Sequence, residues 1–420
     1  MILPRAACSG LLLALAFALA PAAATAHDAA VRTGSAEAMP AIGSARWLRE
    51  TVLAGGYPGV HLLIATQDAV LVDLALGHAD LARTRPLRHD AIYRIHSMTK
   101  PIVSAAALRL VGEGHAGLDD PVAAHLPALA GLQVLDEGRL RDPATPVTVR
   151  HLLTHTAGFA VGGGEALQRR EAAQLERSRD LADLVVRAGS VPLERDPGLR
   201  FVYDGLATDV LGRLVEVWSG QSLDAYLQAT FFDPLGMADT GFEVPADQRH
   251  RLVELGRVDA RGRLVPAIEP PGHVPGTALR PYPSAAGGLY STASDYLAFA
   301  RMLLARGRHG DARLLPADLA EAMLHDQLAP MGLAHPWIED GRGRGFGLGL
   351  SVLLDPAAIG RTGAAGQAGW TGSASTYFVI DPATGGIGLL MLQHLPGESD
   401  SELPRVALPF YNHVQQVLAQ

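Results

Sequence analysis

The sequence predicts an α/β chain of the α+β kind. An antiparallel sheet is formed by both ends of the chain and flanked by terminal helices, with a mostly helical domain inserted between. Two observations lead there. Short apolar runs rich in Val, Ile and Leu occur early, at Val60–Thr66 and Ala69–Leu76, and again late, at Phe346–Leu354, Ala374–Ile380 and Ile387–Gln393. Between them, from Leu118 to about Met237, the pattern is of helical pieces joined by loops. Residues 27–110 and 285–420 would then make a discontinuous sheet-containing domain, and 111–284 the insertion. Such a layout places a cleft at the domain boundary.

In chain order, the first residues read as an address. Arg5 is followed by the apolar run Leu11–Ala20, Pro21 and the small residues Ala24-Thr25-Ala26. This is the pattern of a signal peptide over residues 1–26, too short for a membrane span, and it implies a periplasmic or secreted protein without a stable membrane anchor. Ser44–Leu53 reads as a short helix before the first two strands. Ile92–Ile95 leads into a helical pattern from about Ser97 to Val111, stopped by Gly112 and Gly114. His151–Thr154, Arg179–Arg187 and Leu206–Trp218 are the clearest helices of the insertion. A Pro- and Gly-rich stretch, Val244–Pro283, carries a small hairpin about Asp259–Gly262. Ser291–Ala305 is helical again. The last two strands are joined by a turn at 381–386, and Leu403–Leu418 closes the chain as a helix.

Composition narrows the function. The 420 residues carry a formal charge of −8, which implies no basic surface for nucleic acid or anionic lipid. Cys8 is the only cysteine and lies in the signal segment, so the mature chain has no disulfide, thiol nucleophile or thiolate metal site. Of 35 basic residues one is a lysine, Lys100. An arginine cannot serve as a general base at neutral pH, whereas a desolvated lysine can. Lys100 stands three residues after Ser97. On a helix those positions share a face, and Pro101 is best tolerated near a helix start, so hydroxyl and amine meet in or beside a first turn. There the helix dipole and burial both disfavour an ammonium. Neutral Lys100 could take the Ser97 proton as the hydroxyl attacks a carbonyl.

The segment Ile92-Tyr93-Arg94-Ile95-His96-Ser97-Met98-Thr99-Lys100-Pro101 resembles the nucleophile segment of the β-lactamase-related serine hydrolases, which include class C β-lactamases, DD-peptidases and esterases. The resemblance continues at His151–Gly158, Phe231–Met237 and Gly287–Thr292, in family order over nearly the whole mature chain. It implies the β-lactamase/DD-peptidase fold. The family's Tyr-x-Asn motif is matched by Tyr203-Asp204-Gly205, so Tyr203 would share protons with Ser97 and Lys100, and Gly205 stands where the family has Asn. The family's Lys-Thr-Gly strand is matched by Trp370-Thr371-Gly372, followed by Ser373. Trp370 in place of lysine resembles the esterase branch and would offer an apolar wall to an acyl or alcohol group. The resemblance assigns Thr371 and Gly372 to substrate binding, and the N–H groups of Ser97 and Ser373 to the oxyanion hole.

The implied activity is hydrolysis of a small-molecule ester or amide through an acyl-enzyme on Ser97, with no metal or cofactor needed. A β-lactamase or D-amino-acid peptidase, acyl transfer to another acceptor, and a non-catalytic penicillin- or peptidoglycan-binding protein are the alternatives. His151 and His155 are spaced like zinc ligands but lack the Glu of H-E-x-x-H. There is no G-x-S-x-G elbow and no phosphate-binding loop.

Overall fold

The computed structural model describes residues 38–267, 273–333, 343–397 and 401–420; the signal segment expected at 1–26 lies outside them. A seven-stranded antiparallel sheet dominates. Its strands are β1 (Gly59–Thr66), β2 (Val70–Gly77), β3 (Arg344–Phe346), β4 (Ser351–Leu353), β5 (Ala368–Gly372), β6 (Thr376–Asp381) and β7 (Gly386–Met391), in the spatial order β3-β4-β5-β6-β7-β1-β2. The two ends of the chain therefore meet at the pairing of β1 with β7, where Leu63 faces Leu389.

Alternation along β1 divides the interior in two. Val60, Leu62 and Ile64 point to the face covered by α1 (Ala38–Trp47), the turn Leu48–Leu53 and the C-terminal helix, where Phe410 and Val414 complete one apolar cluster. Leu63 and Ala65 point to the other face. There a larger core runs without a break through α2 (Thr99–Gly112), α3 (Gly205–Ser219) and α4 (Ala293–Leu304). Helix α2 is buried almost all round, from Thr99 to Leu108, which explains its Ala-rich sequence: it lies between the sheet and α3. The 111–284 stretch also holds helices at Val149–Leu153, Gly164–Ala172 and Leu181–Ala188.

Two features depart from the reading of the sequence. The run Phe346–Leu354 is not one strand but parts of β3 and β4, hairpinned so that Phe346 pairs with Ser351. Gly349 has φ +95°, and a Cβ on Gly347 would fall 2.0 Å from the Met323 carbonyl oxygen. These glycines turn an otherwise apolar run back on itself. A hairpin at Val134–Asp136 and Arg139–Arg141 turns through Glu137 and Gly138, both at positive φ, as a type I′ turn requires. The hairpin expected about Asp259–Gly262 is present, with Val258 paired to Leu264.

Candidate active site

Ser97 lies in a single 3₁₀ turn, His96–Met98, that runs directly into α2. The turn is entered through a strained residue: His96 has φ +42°, which L side chains rarely adopt. It is held from outside by the Tyr296 hydroxyl, which donates to the Met98 carbonyl at 2.9 Å, and by the Leu289 N–H, which donates to Thr99 Oγ1 at 3.1 Å. Tyr93–Arg94 pairs with Tyr290–Ser291, and the Ile95 N–H donates to the Leu289 carbonyl. These bonds pin the 284–291 segment across the start of α2.

That pinning fixes the lysine. Lys100 is 4 % exposed. Its Nζ donates to Ser97 Oγ at 3.2 Å and to the Ala286 carbonyl at 2.6 Å, and sits 4.8 Å from the centre of the Tyr203 ring. The expected i, i+3 meeting of hydroxyl and amine is therefore present. Tyr203 lies just before α3, its ring 4.8 Å from that of His155 and 5.2 Å from that of Trp370. Gly205 opens α3, where an added Cβ would come within 3.3 Å of Ala286 Cβ. A side chain here would press on the residue whose carbonyl holds the amine.

Strand β5 closes the other side. Gly372 has no room for a side chain: a Cβ would lie 2.4 Å from the Ile95 carbonyl oxygen and 2.3 Å from Thr376 Oγ1. The strand thus passes directly against the turn that carries Ser97. Ser97 and Ser373 line one cleft of about 210 Å³, with Phe242, Leu279, Tyr282 and Gly287 on its walls. Trp370 is buried between Tyr203 and Phe346, whose ring it meets edge-on at 5.2 Å. It backs the tyrosine and is not among the residues lining this cleft. Thr371 alternates to the opposite sheet face, where it lines a second, larger cavity of about 490 Å³ with Tyr377 and Tyr411. That cavity does not include Ser97, which lines the smaller cleft.

Sequence reasoning missed Asp209, on α3. Its Oδ1 accepts from the Ala286 N–H at 3.0 Å and from Ser284 Oγ at 3.1 Å. Ala286 thus has its carbonyl on Lys100 and its own N–H on Asp209. Burial pushes the Asp209 carboxyl up to about 6, against the Ala286 N–H, the Lys100 charge and the Ser284 hydroxyl. The available signal was an acid within the apolar stretch Leu206–Leu214. His155 packs its ring against Tyr203 and Phe346. Burial first, and the Lys100 charge second, bring its pKa down to about 3, so it is neutral at physiological pH. Its Nδ1 accepts the Asp204 N–H at 3.3 Å, and His151 Nδ1 accepts the Thr148 N–H in a capping box. Asp204 caps α3 and pairs with Arg170 at 2.8 Å.

The family model described as Beta-lactamase matches residues 37–409, nearly the whole of the described chain. The chain belongs to the beta-lactamase family. Within the family it is similar to Esterase EstB of Burkholderia gladioli, with 35 % identity over 380 residues covering 86 % of this chain and 91 % of that relative. This similarity places it on the esterase-like branch. Its fold is similar to that of EstCE1, a hydrolase with promiscuous acyltransferase activity (TM-score 0.71, 24 % identity, 91 % of this chain and 98 % of that one). It is likewise similar to simvastatin synthase LovD from Aspergillus terreus (TM-score 0.72, 24 % identity, 91 % and 99 %). The antiparallel sheet with helices on both faces is thus a beta-lactamase-family fold, and the enzyme is a serine hydrolase.

Proposed function

We propose that this enzyme hydrolyses carboxylic esters of small molecules through an acyl-enzyme on Ser97. The observation that carries the reading is the buried Lys100 amine 3.2 Å from Ser97 Oγ, oriented by the Ala286 carbonyl. In the proposed step, Ser97 Oγ attacks the ester carbonyl carbon and its proton passes to the Lys100 amine. The tetrahedral oxyanion takes hydrogen bonds from the Ser97 and Ser373 N–H groups. The C–O bond to the alcohol breaks, and the alkoxide leaves with the proton through Lys100 and the Tyr203 hydroxyl. Water then attacks acyl-Ser97, giving up its proton by the same pair, and the carboxylic acid departs as Ser97 Oγ is reprotonated.

Two departures from the family pattern support an ester over a β-lactam. Gly205 supplies no side-chain amide beside the scissile bond, and Trp370 supplies no cation for a carboxylate. The name of the EstB relative points the same way. The N-terminal pattern of Arg5, Leu11–Ala20 and Ala24-Thr25-Ala26 supports export to the periplasm or medium. The test compares p-nitrophenyl butyrate with nitrocefin on the mature chain. Ester turnover well above nitrocefin turnover is expected; the reverse order would assign a β-lactamase, and no turnover of either would favour a binding protein.

A further inference from the structure

Away from Ser97, at the β2 edge of the sheet, three side chains with metal-ligating atoms converge. His61 lies on β1 and Asp73 on β2. Leu63 is the register partner of Asp73, so His61 and Asp73 are diagonal neighbours on one sheet face. His89 comes from the chain that follows β2. His61 Nε2 is 2.7 Å from Asp73 Oδ1, and His89 Nδ1 is 2.9 Å from the same oxygen. One ligand atom from each residue lies within 4.8 Å of the others. The side chain of His61 is 1 % exposed, against 41 % for Asp73 and 60 % for His89. The group therefore has one ligand fixed in the core, two adjustable ligands at the rim, and a side open to solvent.

We propose that His61, Asp73 and His89 bind a borderline divalent transition ion such as Zn²⁺. Two imidazoles and one carboxylate suit Zn²⁺, Cu²⁺ or Ni²⁺, whereas Mg²⁺ and Ca²⁺ prefer all-oxygen sites. Tetrahedral ligands at about 2.0–2.1 Å from an ion stand roughly 3.3 Å from one another. The two histidine–aspartate distances must therefore widen by about half an ångström, and the His61 and His89 ring nitrogens, within 4.8 Å of each other, must settle at the same separation, through rotation of the exposed Asp73 and His89 side chains. Water takes the fourth position from the open side. The ion replaces the hydrogen bonds to Asp73 Oδ1: each imidazole binds as the neutral ring, its proton on the nitrogen that does not coordinate. No net proton is released unless a ring begins as imidazolium. His61 Nδ1, which would carry that proton, makes no hydrogen bond among the described residues. The bound ion would clip β1 and β2 to the segment that continues through Tyr93–Arg94 to Ser97. It stands apart from the ester chemistry.

The experiment uses the full mature chain stripped with chelator. Zn²⁺ is titrated by calorimetry and by thermal denaturation, and Cu²⁺ binding is followed by electron paramagnetic resonance, in the parent, His89→Ala and Asp73→Asn. Both substitutions are at exposed positions, and ester hydrolysis by His89→Ala serves as the folding control. The expected result is one Zn²⁺ per chain at micromolar affinity, a rise in the parent's melting temperature with Zn²⁺, and two nitrogen ligands in the Cu²⁺ spectrum. Affinity should fall at least ~10-fold in each variant, with His89→Ala still hydrolysing ester at the parental rate. Absence of stoichiometric binding in the parent, or equal binding in parent and both variants, would overturn the proposal and leave a hydrogen-bonded His–Asp–His cluster.

Discussion

Replacing Asp209 by Asn tests the electrostatics beside Lys100. The carboxylate is buried on α3 and accepts from the Ala286 N–H and Ser284 Oγ through a single oxygen. Asparagine keeps an acceptor oxygen of the same shape and removes only the titration. Burial raises the Asp209 pKa from 3.8 to about 6. A group raised in the folded state contributes stability that is fully present below its unfolded pKa and is lost as pH rises through its folded pKa. The parent should therefore lose stability between about pH 4 and pH 7. A shift of about 2 units at 1.36 kcal/mol per unit corresponds to roughly 3 kcal/mol. Urea unfolding of parent and Asp209→Asn at pH 4, 6 and 8 isolates this contribution, because other titrating groups cancel in the difference. The Asn variant should gain on the parent by roughly 3 kcal/mol between pH 4 and pH 8. A difference that stays constant with pH would refute the reasoning. So would an Asn variant that loses ground as pH rises, because the Asp209–Lys100 attraction would then outweigh desolvation.

Tyr203→Phe keeps the ring against His155, Trp370 and the Lys100 amine and removes the hydroxyl. We expect kcat for p-nitrophenyl butyrate to fall ~10²- to 10⁴-fold with the melting temperature unchanged; a fully active variant would remove Tyr203 from the proton path. Gly372→Ala puts a methyl 2.4 Å from the Ile95 carbonyl oxygen, which must push β5 away from the Ser97 turn. Overpacking should destabilise by ~1–3 kcal/mol and lower kcat by a larger factor than the loss of folded protein explains, as seen by comparing rates per active site with circular dichroism.

The readable parts of the fold and the unread ones differ in the range of the interactions that define them. β1, β2, β6 and β7 are legible because each is an apolar run bounded by turn residues, and α2 because its Ala-rich pattern ends in glycines. The Ser97–Lys100 pair is legible because both residues sit on one local turn and no other lysine is present in the sequence. The β3–β4 hairpin was misread as one strand because Gly347 and Gly349 sit inside an apolar run. What forces the turn is the close approach of the Met323 backbone, which is remote in sequence. Asp209 was missed for the same reason: its partners Ser284 and Ala286 lie more than 70 residues further along. Trp370 illustrates the converse, since its motif position is evident while its burial behind Tyr203 depends on Phe346 from another strand. The His61–Asp73–His89 cluster depends on the register of β1 with β2, which no local pattern reveals.

The central claim is that Ser97 becomes acylated with Lys100 as its base, and trapping the acyl-enzyme tests it most directly. The protein is mixed with p-nitrophenyl butyrate, quenched in acid within the first turnover and analysed by intact and peptide mass spectrometry, beside Ser97→Ala and Lys100→Arg. The account predicts one butyryl group on the peptide that contains Ser97, none on Ser97→Ala, and acylation of folded Lys100→Arg slowed ~10²- to 10⁴-fold. A butyryl group on another residue, or a Lys100→Arg variant that acylates at the parental rate, would contradict it.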